Sequence, residues 1–358
     1  MITLSLDVAK KMAATVQKSL PKNSPKEILN GILVQGDSGT ITLTAHNGVS
    51  GFRVKGSGEA STCSFVVAHG ERFLNFIKAA DGEEITLRPS QNHVVITVGK
   101  AKIQLPILDA VLYPTLPTME SPTPFPNLLY AVAKVYPFSK NVRDLPYEGV
   151  HIAVNQGTCI VEATSGHQAA RITSTVMRED CNWVLSAEEA KDLCSIFSED
   201  VFVQEKDGHL LVSDGVDVMW ATRLLPDDRY PDLFPILYGY ASQGTFETMR
   251  SALYGAAKRA LVVVGDRDNQ AAKLTFTPAS IRIDGKSPYG DVSESVEARY
   301  SGETKVMGFN LSFLQHILSK WTSENVTADI IAVRTHAHGI LLQNETERYL
   351  LLQVLLSA

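Results

Sequence analysis

Apolar residues recur along this chain with two spacings, one typical of amphipathic helices and one typical of half-buried strands. Val8, Met12, Val16 and Leu20 lie four residues apart, which places them on one face of a helix. From Thr40 to Thr44 polar and apolar residues alternate, as in a strand with one buried face, and Asp37-Ser38-Gly39 before it predicts a hairpin turn. The start of the chain therefore predicts a helix followed by strands.

The order of helix, strands, helix and strands recurs three times, at a spacing of about 120 residues. Opening helices are predicted at 6–20, 127–136 and 246–261, and second helices at 71–80, 190–197 and 311–321. Ser186 and Asn310 are suitable caps for the last two. Prolines crowd 114–126 and glycines mark 239–244, as linkers do. We predict an α+β protein of three similar domains, 1–118, 119–240 and 241–358, each with two helices packed on antiparallel sheets.

Composition limits the classes of function. The formal net charge of −6 argues against a protein that grips nucleic acid over its whole surface, but it allows one basic face. No apolar run approaches the roughly 20 residues of a membrane helix, and the first residues lack signal-peptide order, so we expect a cytoplasmic protein. The four cysteines form no CxxC pair, and we expect reduced thiols, no metal and no cofactor.

Several motifs, in the same order along nearly the whole chain, resemble those of the bacterial sliding clamps, the beta subunits of replicative DNA polymerase III. They are Ile28-Leu29-Asn30-Gly31-Ile32-Leu33, Glu162-Ala163-Thr164-Ser165-Gly166-His167-Gln168-Ala169-Ala170, Asp228-Arg229-Tyr230-Pro231-Asp232-Leu233, Gly308-Phe309-Asn310-Leu311-Ser312-Phe313-Leu314 and the closing Tyr349-Leu350-Leu351-Leu352-Gln353-Val354-Leu355-Leu356. The chain departs from the family pattern at Ser165, Gln168, Pro235 and Gln353, where Asp, Arg, Arg and Pro are usual. We therefore expect a divergent member.

The resemblance implies a processivity factor that is not an enzyme: a head-to-tail homodimeric ring that encircles duplex DNA without reading its sequence. Basic residues on the helices of each domain would face the DNA, and the candidates are Lys11, Lys18, Lys22, Arg72, Lys78, Lys134, Lys140, Arg143, Arg250, Lys258, Arg259 and Lys320. The first domain of one subunit would meet the third domain of the other, through Ile103, Leu105, Leu261, Val263 and Val264.

The resemblance also implies an apolar cleft between the second and third domains that binds short linear peptides. Its partners would be the replicative DNA polymerase, the clamp loader and repair proteins. By position, the lining residues would be Tyr147, Thr164, Gly166, His167, Ala169, Pro231, Ile236, Leu350, Leu352 and Val354.

Three alternatives stay open at this point. Ser165 and His167 lie two residues apart, as two members of a hydrolase triad could, although no Gly-x-Ser-x-Gly elbow surrounds the serine. His336 and His338 could bind a metal, although no further ligand has a recognisable spacing. A clamp-like scaffold or decoy would keep the fold and bind clamp partners without supporting replication.

Overall fold

A computed structural model describes residues 1–139, 149–198, 200–227, 230–265, 270–334 and 337–356. The chain folds into two compact units, one formed by Met1–Leu129 with Glu188–Leu225 and the other by Tyr130–Ala187 with Pro226–Ala358. Each unit contains part of the predicted second domain, and the division into three domains stays a prediction.

The described residues are rich in β-strands. In chain order these are β1 Ile2–Ser5, β2 Ile32–Asp37, β3 Thr40–His46, β4 Ser50–Ser57, β5 Glu59–Ala60, β6 Cys63–Val67, β7 Glu84–Pro89, β8 His93–Val98, β9 Ala101–Leu108, β10 Thr123–Phe125, β11 Val150–Asn155, β12 Thr158–Thr164, β13 Gln168–Thr175, β14 Cys181–Leu185, β15 Val201–Lys206, β16 His209–Ser213, β17 Val218–Arg223, β18 Ala241–Met249, β19 Ala271–Thr277, β20 Ser280–Ser287, β21 Gly290–Tyr300, β22 Lys305–Asn310, β23 Asn325–Arg334, β24 Ala337–Gln343 and β25 Glu347–Leu352.

The α-helices are fewer and mostly short. They are α1 Leu6–Val16, α2 Gly70–Ala79, α3 Leu128–Val135, α4 Ala187–Ile196, α5 Phe234–Tyr238, α6 Arg250–Val264 and α7 Leu311–Lys320. None of the described helices is long and apolar enough to cross a membrane.

Each unit is built on one continuous antiparallel sheet. The strand order is β10-β15-β16-β17-β4-β3-β2-β6-β9-β8-β7-β1-β5 in the first unit and β14-β11-β12-β13-β25-β24-β23-β18-β21-β20-β19-β22 in the second. The pair β4–β17 joins the first and second sequence repeats, and β13–β25 joins the second and third. Since neighbouring repeats share sheets, the compact units do not follow the repeat boundaries.

The helices cover the sheets with the apolar faces that the sequence predicts. Of the predicted face of α1, Met12 and Val16 are buried and Val8 is partly buried, whereas α1 ends at Val16 and Leu20 is extended, so the prediction of a helix to residue 20 is wrong at its end. Phe73 and Ile77 of α2 are buried, and the two helices pack against each other. In the second unit α6 and α7 form a similar pair. The predicted α+β class with antiparallel sheets is confirmed.

Two local predictions are confirmed in detail. Ser38 and Gly39, both with positive φ (45° and 87°), form the two-residue turn between β2 and β3, which a right-twisted hairpin favours. The Asn310 side chain caps α7, since its Oδ1 accepts a hydrogen bond from the Phe313 amide at 3.0 Å.

The prediction of a third opening helix from residue 246 is wrong at its start. Residues Phe246 to Met249 belong to β18, which pairs with β21 and β23, and the helix begins at Arg250. Phe246 and Thr248 are buried while Glu247 and Met249 are exposed, so the segment has the period of a strand. Pairing with distant strands overrides the helical spacing of Phe246, Met249 and Leu253.

Candidate functional site

An apolar cluster in the second unit lies where β13, β25, β24 and β23 meet the short helix α5. Its buried members are Ala169, Leu233, Leu237, Ile331, Leu341 and Leu350, and the partly buried Ile236, Tyr240 and Leu352 pack against it. We call this packed set the apolar cleft, after the peptide site that the resemblance implies.

Strand register brings the sheet side of the apolar cleft together. Ala169 of β13 lies opposite Leu350 of β25, which lies opposite Leu341 of β24, so the three side chains share one face. On the other side, α5 supplies Leu237 as a buried residue and Ile236 as a partly buried one. Aliphatic groups that are half-exposed beside a buried core can receive apolar side chains of a peptide.

A tight turn between β12 and β13 borders the apolar cleft. Thr164 Oγ1 donates to the Gln168 carbonyl at 2.9 Å and accepts from the Gly166 amide at 3.0 Å. Gly166 has a φ of +80°, a conformation that a residue with a Cβ adopts only at a cost. His167 is exposed, and its carbonyl accepts from the Leu352 amide at 2.9 Å. The turn therefore holds an exposed Gly–His pair at the edge of the sheet.

The structure brings four of the predicted lining residues into the apolar cleft: Ala169, Ile236, Leu350 and Leu352. Thr164, Gly166 and His167 form the adjoining turn, and Pro231 is half-buried in the segment before α5. Val354 is not a member, and its amide donates to the Gly308 carbonyl at 2.9 Å. Tyr147 lies outside the described residues.

Sequence reasoning missed five members, namely Leu233, Leu237, Tyr240, Ile331 and Leu341. The helical spacing of Leu233, Ile236 and Leu237 is a signal that could have revealed Leu233 and Leu237 beside the predicted Ile236. Ile331 and Leu341 reach the cleft only through strand pairing, which no local pattern shows.

A buried ion pair supports the base of α5. Glu162 and Arg171, each about 4% exposed, are neighbours on β12 and β13, and Arg171 Nε donates to Glu162 Oε2 at 2.7 Å. The Tyr238 ring lies 5.3 Å from the Arg171 guanidinium and 4.0 Å from that of Arg348. Phe234 stacks on Tyr238 with its centroid at 4.6 Å. Cation–π contacts therefore fix α5 on the sheet.

His151 extends this network toward the surface. Its Nδ1 lies 2.9 Å from Glu162 Oε1, and its Nε2 lies 2.6 Å from Asn182 Oδ1. Burial alone would lower the pKa of His151, but the hydrogen bonds to Glu162 and Asn182 and the Glu162 charge raise the pKa overall.

The predicted DNA-facing cations fall on two pairs of packed helices and on α3. Lys11, Lys18, Lys22, Arg72 and Lys78 belong to α1, α2 and the segment after α1, and all five are exposed. Arg250, Lys258 and Arg259 lie on α6, Lys320 on α7 and Lys134 on α3. Lys140 and Arg143 lie outside the described residues.

Several of these cations have protein partners. Lys134 is 9% exposed, and its Nζ lies 3.2 Å from Glu347 Oε1. Arg250 pairs with Glu324 at 3.3 Å, and Arg259 Nε donates to Glu294 at 3.0 Å.

The remaining partners are neutral groups. Lys18 Nζ donates to the Ser195 carbonyl at 2.7 Å, Lys78 to Gln17, and Lys320 to the Ala133 carbonyl at 3.2 Å. Within the described ranges, the side chains of Lys11, Lys22, Arg72 and Lys258 have no hydrogen-bond or ion-pair partner and can meet a phosphate without breaking a contact.

Each unit also carries a strand with one unpaired edge. Residues 101–105 of β9 pair with β8 alone, and residues 290–296 of β21 pair with β20 alone, as far as the described chain shows. An edge of this kind offers backbone donors and acceptors to a strand of another chain.

The predicted interface residues lie beside these edges with different exposure. Ile103 of β9 and Leu261 and Val263 of α6 are half-buried, whereas Leu105 and Val264 are buried within their own unit. Val262, which the sequence reasoning passed over, is 85% exposed.

The alternative hydrolase and metal sites depend on Ser165, His167, His336 and His338. The buried Ser165 Oγ has no hydrogen-bond partner in the described structure, and the His167 side chain is exposed. His336 lies outside the described residues, and no group of three side chains that could hold a metal occurs among those described.

Curated relatives similar to this chain are beta sliding clamps. That of Chlamydia muridarum (strain MoPn / Nigg) is 21% identical over 329 residues, covering 88% of each chain. That of Streptomyces coelicolor is 24% identical over 335 residues, covering 89% of this chain and 88% of the relative.

Solved structures share the fold. The DNA polymerase sliding clamp from Bacillus subtilis has a TM-score of 0.91 at 21% identity, and the DNA polymerase III beta subunit from Thermotoga maritima has a TM-score of 0.87 at 20% identity. In both comparisons 99% of each chain is covered.

Two family models match the sequence itself. Residues 3–117 match the N-terminal domain of the DNA polymerase III beta subunit, and residues 242–354 match its C-terminal domain. The two matches together span well over half of the 358 residues. This chain therefore belongs to the family of DNA polymerase III beta subunits, the bacterial sliding clamps.

Proposed function

We propose that this protein is a DNA sliding clamp, a processivity factor that encircles duplex DNA as a head-to-tail homodimer and tethers the replicative polymerase. Family membership supports the general function, and the free edges of β9 and β21 support the ring. Residues 101–105 of β9 in one copy would pair with residues 290–296 of β21 in the other. Since each copy contributes one edge of each kind, two copies would satisfy all four edges and close the assembly.

The exposed cations fit a DNA contact that permits sliding. Lys11, Lys22, Arg72 and Lys258 offer charge to the phosphates, whereas Lys134, Arg250 and Arg259 are neutralised by carboxylates. Few free cations give weak contacts that do not depend on sequence, because the affinity for DNA grows with the number of phosphates neutralised. The ring would then hold DNA by enclosure rather than by affinity.

The apolar cleft would bind short linear peptides of the polymerase, the clamp loader and repair proteins. Half-exposed Ile236 and Leu352 beside a buried aliphatic base suit the apolar anchors of an extended peptide. Gln168 stands where the resembled family has arginine, and it is only 4% exposed. The main-chain groups of the Gly166–His167 turn would therefore provide the polar contacts to the peptide. The protein would act without catalysing a reaction itself. It would work in the cytoplasm.

The ring is tested by retention on DNA. With the loader of its host and ATP, the protein should stay on nicked circular DNA during gel filtration and leave the same DNA once it is linearised. Equal loss from both forms would refute encirclement and favour a clamp-like decoy.

The strand pairing is tested by solution mass. Sedimentation should give a mass near twice the 39.1 kDa of one chain. Gln104→Pro, which removes a backbone donor from the free edge of β9, should give the mass of one chain. A proline at Val95, which lies in a strand paired on both sides, would disrupt the fold itself and cannot serve as the control. The control is Val49→Ala, which changes an exposed residue away from both edges. A Gln104→Pro variant that is folded and still dimeric would contradict the proposed pairing.

A further inference from the structure

The first repeat boundary carries the same turn as the one beside the apolar cleft. In the turn between β3 and β4 the Asn47 amide donates to the Ser50 carbonyl at 2.9 Å, and in the turn between β12 and β13 the Ser165 amide donates to Gln168 at 3.0 Å. Each turn has a glycine with positive φ at its second position, Gly48 at +101° and Gly166 at +80°. The two hairpins are therefore copies of one local structure.

The strands that follow the two turns also correspond. Gly51 of β4 lies opposite Ala221 of β17, which lies opposite Leu211 of β16. This reproduces the order Ala169, Leu350 and Leu341 at the apolar cleft. Leu211 and Ala221 are buried with Leu116 in a second apolar cluster, against which Met119 and Met219 pack. The first boundary thus has a site of the same design in the first unit.

The chain's own linker, residues 114–121, occupies this second site. A Cβ added to Gly51 would lie 2.8 Å from Leu116 Cδ2, so the leucine fills the space that the glycine leaves. Arg53, two residues after Gly51, donates from Nη2 to the Leu116 carbonyl at 3.1 Å. Arg171 holds the equivalent place at the apolar cleft, where Tyr238 of α5 covers it.

Further along, the linker is held by its main chain and by one ion pair. Gln204 Oε1 accepts from the amides of Glu120 and Ser121 at 2.7 and 3.1 Å. Lys206 Nζ lies 2.7 Å from the Glu120 carboxylate. An apolar anchor in a pocket, main-chain hydrogen bonds and a charge pair are the means by which a sheet surface binds an extended peptide.

We propose that this face is a second peptide site, closed in the free protein by its own linker. An external peptide that presents a leucine and, four residues later, a glutamate replaces residues 114–121 there. The leucine enters the space above Gly51, and the glutamate pairs with Lys206. The linker competes strongly because its tether gives it an effective concentration on the order of millimolar.

The test uses the full-length protein and a fluorescein-labelled peptide with the sequence of residues 113–122, Tyr-Pro-Thr-Leu-Pro-Thr-Met-Glu-Ser-Pro. Leu116→Ala/Glu120→Ala removes both anchors of the linker while leaving the site intact. Fluorescence anisotropy should then show saturable binding at least about tenfold tighter than to the unmodified protein, because the tethered competitor is weakened. The matched control, Leu112→Ala/Glu71→Ala, changes two exposed residues outside the site and should leave binding at the level of the unmodified protein.

Adding Lys206→Ala to the double variant should weaken binding of the labelled peptide again. The proposal is wrong if the double variant binds the peptide no better than the unmodified protein, or if Lys206→Ala has no effect. It is also wrong if Ile236→Asp in the apolar cleft, rather than Lys206→Ala, removes the binding. Should Leu116→Ala unfold the protein, Met119→Ala/Glu120→Ala, which keeps the buried leucine, must still bind the peptide more tightly than the unmodified protein.

Discussion

Glu189 is a buried carboxylic acid beneath the strand pair that joins the first two repeats. It lies on α4, is 5% exposed and contacts the hydroxyls of Ser50 and Thr222, which face each other across β4 and β17 and are fully buried. Burial is the main cause that raises the pKa of Glu189 to about 7; the charges of Asp192 and Glu188 add to the rise, and the two hydroxyls oppose it. We therefore expect this carboxyl to make the stability of the first unit depend on pH.

The direction follows from the raised pKa. Between the ordinary value of 4.5 and the folded value of about 7, the folded protein binds a proton that the unfolded chain has lost. The stabilising contribution is therefore complete below pH 4.5 and is lost as the pH rises through 7. At 1.36 kcal/mol per pKa unit, the loss between pH 5 and pH 8 amounts to about 2.5 kcal/mol.

Glu189→Gln keeps the shape and the polarity of the side chain but cannot ionise. Urea unfolding should show nearly equal stability for the variant and the unmodified protein at pH 5. At pH 8 the variant should be more stable than the unmodified protein by about 2.5 kcal/mol beyond any difference found at pH 5. Glu188→Gln, an exposed neighbour on the same helix, is the control, and its stability difference from the unmodified protein should change little with pH. A stability difference for Glu189→Gln that stays constant from pH 5 to pH 8 would refute the reasoning.

Three further predictions concern the second unit and the DNA contact. Arg171→Met removes the guanidinium partner of the buried Glu162, whose other oxygen stays beside His151, and should lower the free energy of unfolding by about 3–5 kcal/mol, whereas Arg282→Met at an exposed pair should cost under about 1 kcal/mol; equal losses in urea titrations would contradict the role of burial. Gly166→Ala should cost about 1–2 kcal/mol from its φ of +80° alone, since no atom lies within 4 Å of the added Cβ, and an unchanged melting temperature would argue against this backbone conformation. Lys11→Glu/Arg72→Glu should shorten the residence of the ring on circular DNA more at low salt than at high salt, and a salt-independent effect would show that these cations do not meet phosphates.

The local parts of the fold could be predicted from the sequence. The turn at Ser38-Gly39 and the cap at Asn310 are fixed by residues within a few positions of each other, and both are found as predicted. The start of the third opening helix failed because Phe246 pairs with Ala328 and Tyr300, which are distant in sequence. The apolar cleft was half predicted for the same reason, since Ala169 and Leu350 lie in recognisable motifs whereas Ile331 and Leu341 do not.

Charge was the least predictable property of the candidate site. A helical lysine such as Lys134 reads in the sequence as a solvated cation, yet it is buried against Glu347, more than two hundred positions further along the chain. Spacing along a helix shows which face a side chain occupies, but only the tertiary structure shows whether a carboxylate lies opposite. The set of exposed cations without a carboxylate partner is therefore smaller than the sequence suggests.

Continuous backbone ladders across the repeat boundaries have a mechanical consequence. At β4–β17 and β13–β25, five residue pairs on each seam would have to shear together before adjoining repeats could hinge apart. A load applied along these strands is thus distributed over several amide groups at once. The strand pairs β4–β17 and β13–β25 would therefore resist hinge motion between the repeats that they connect.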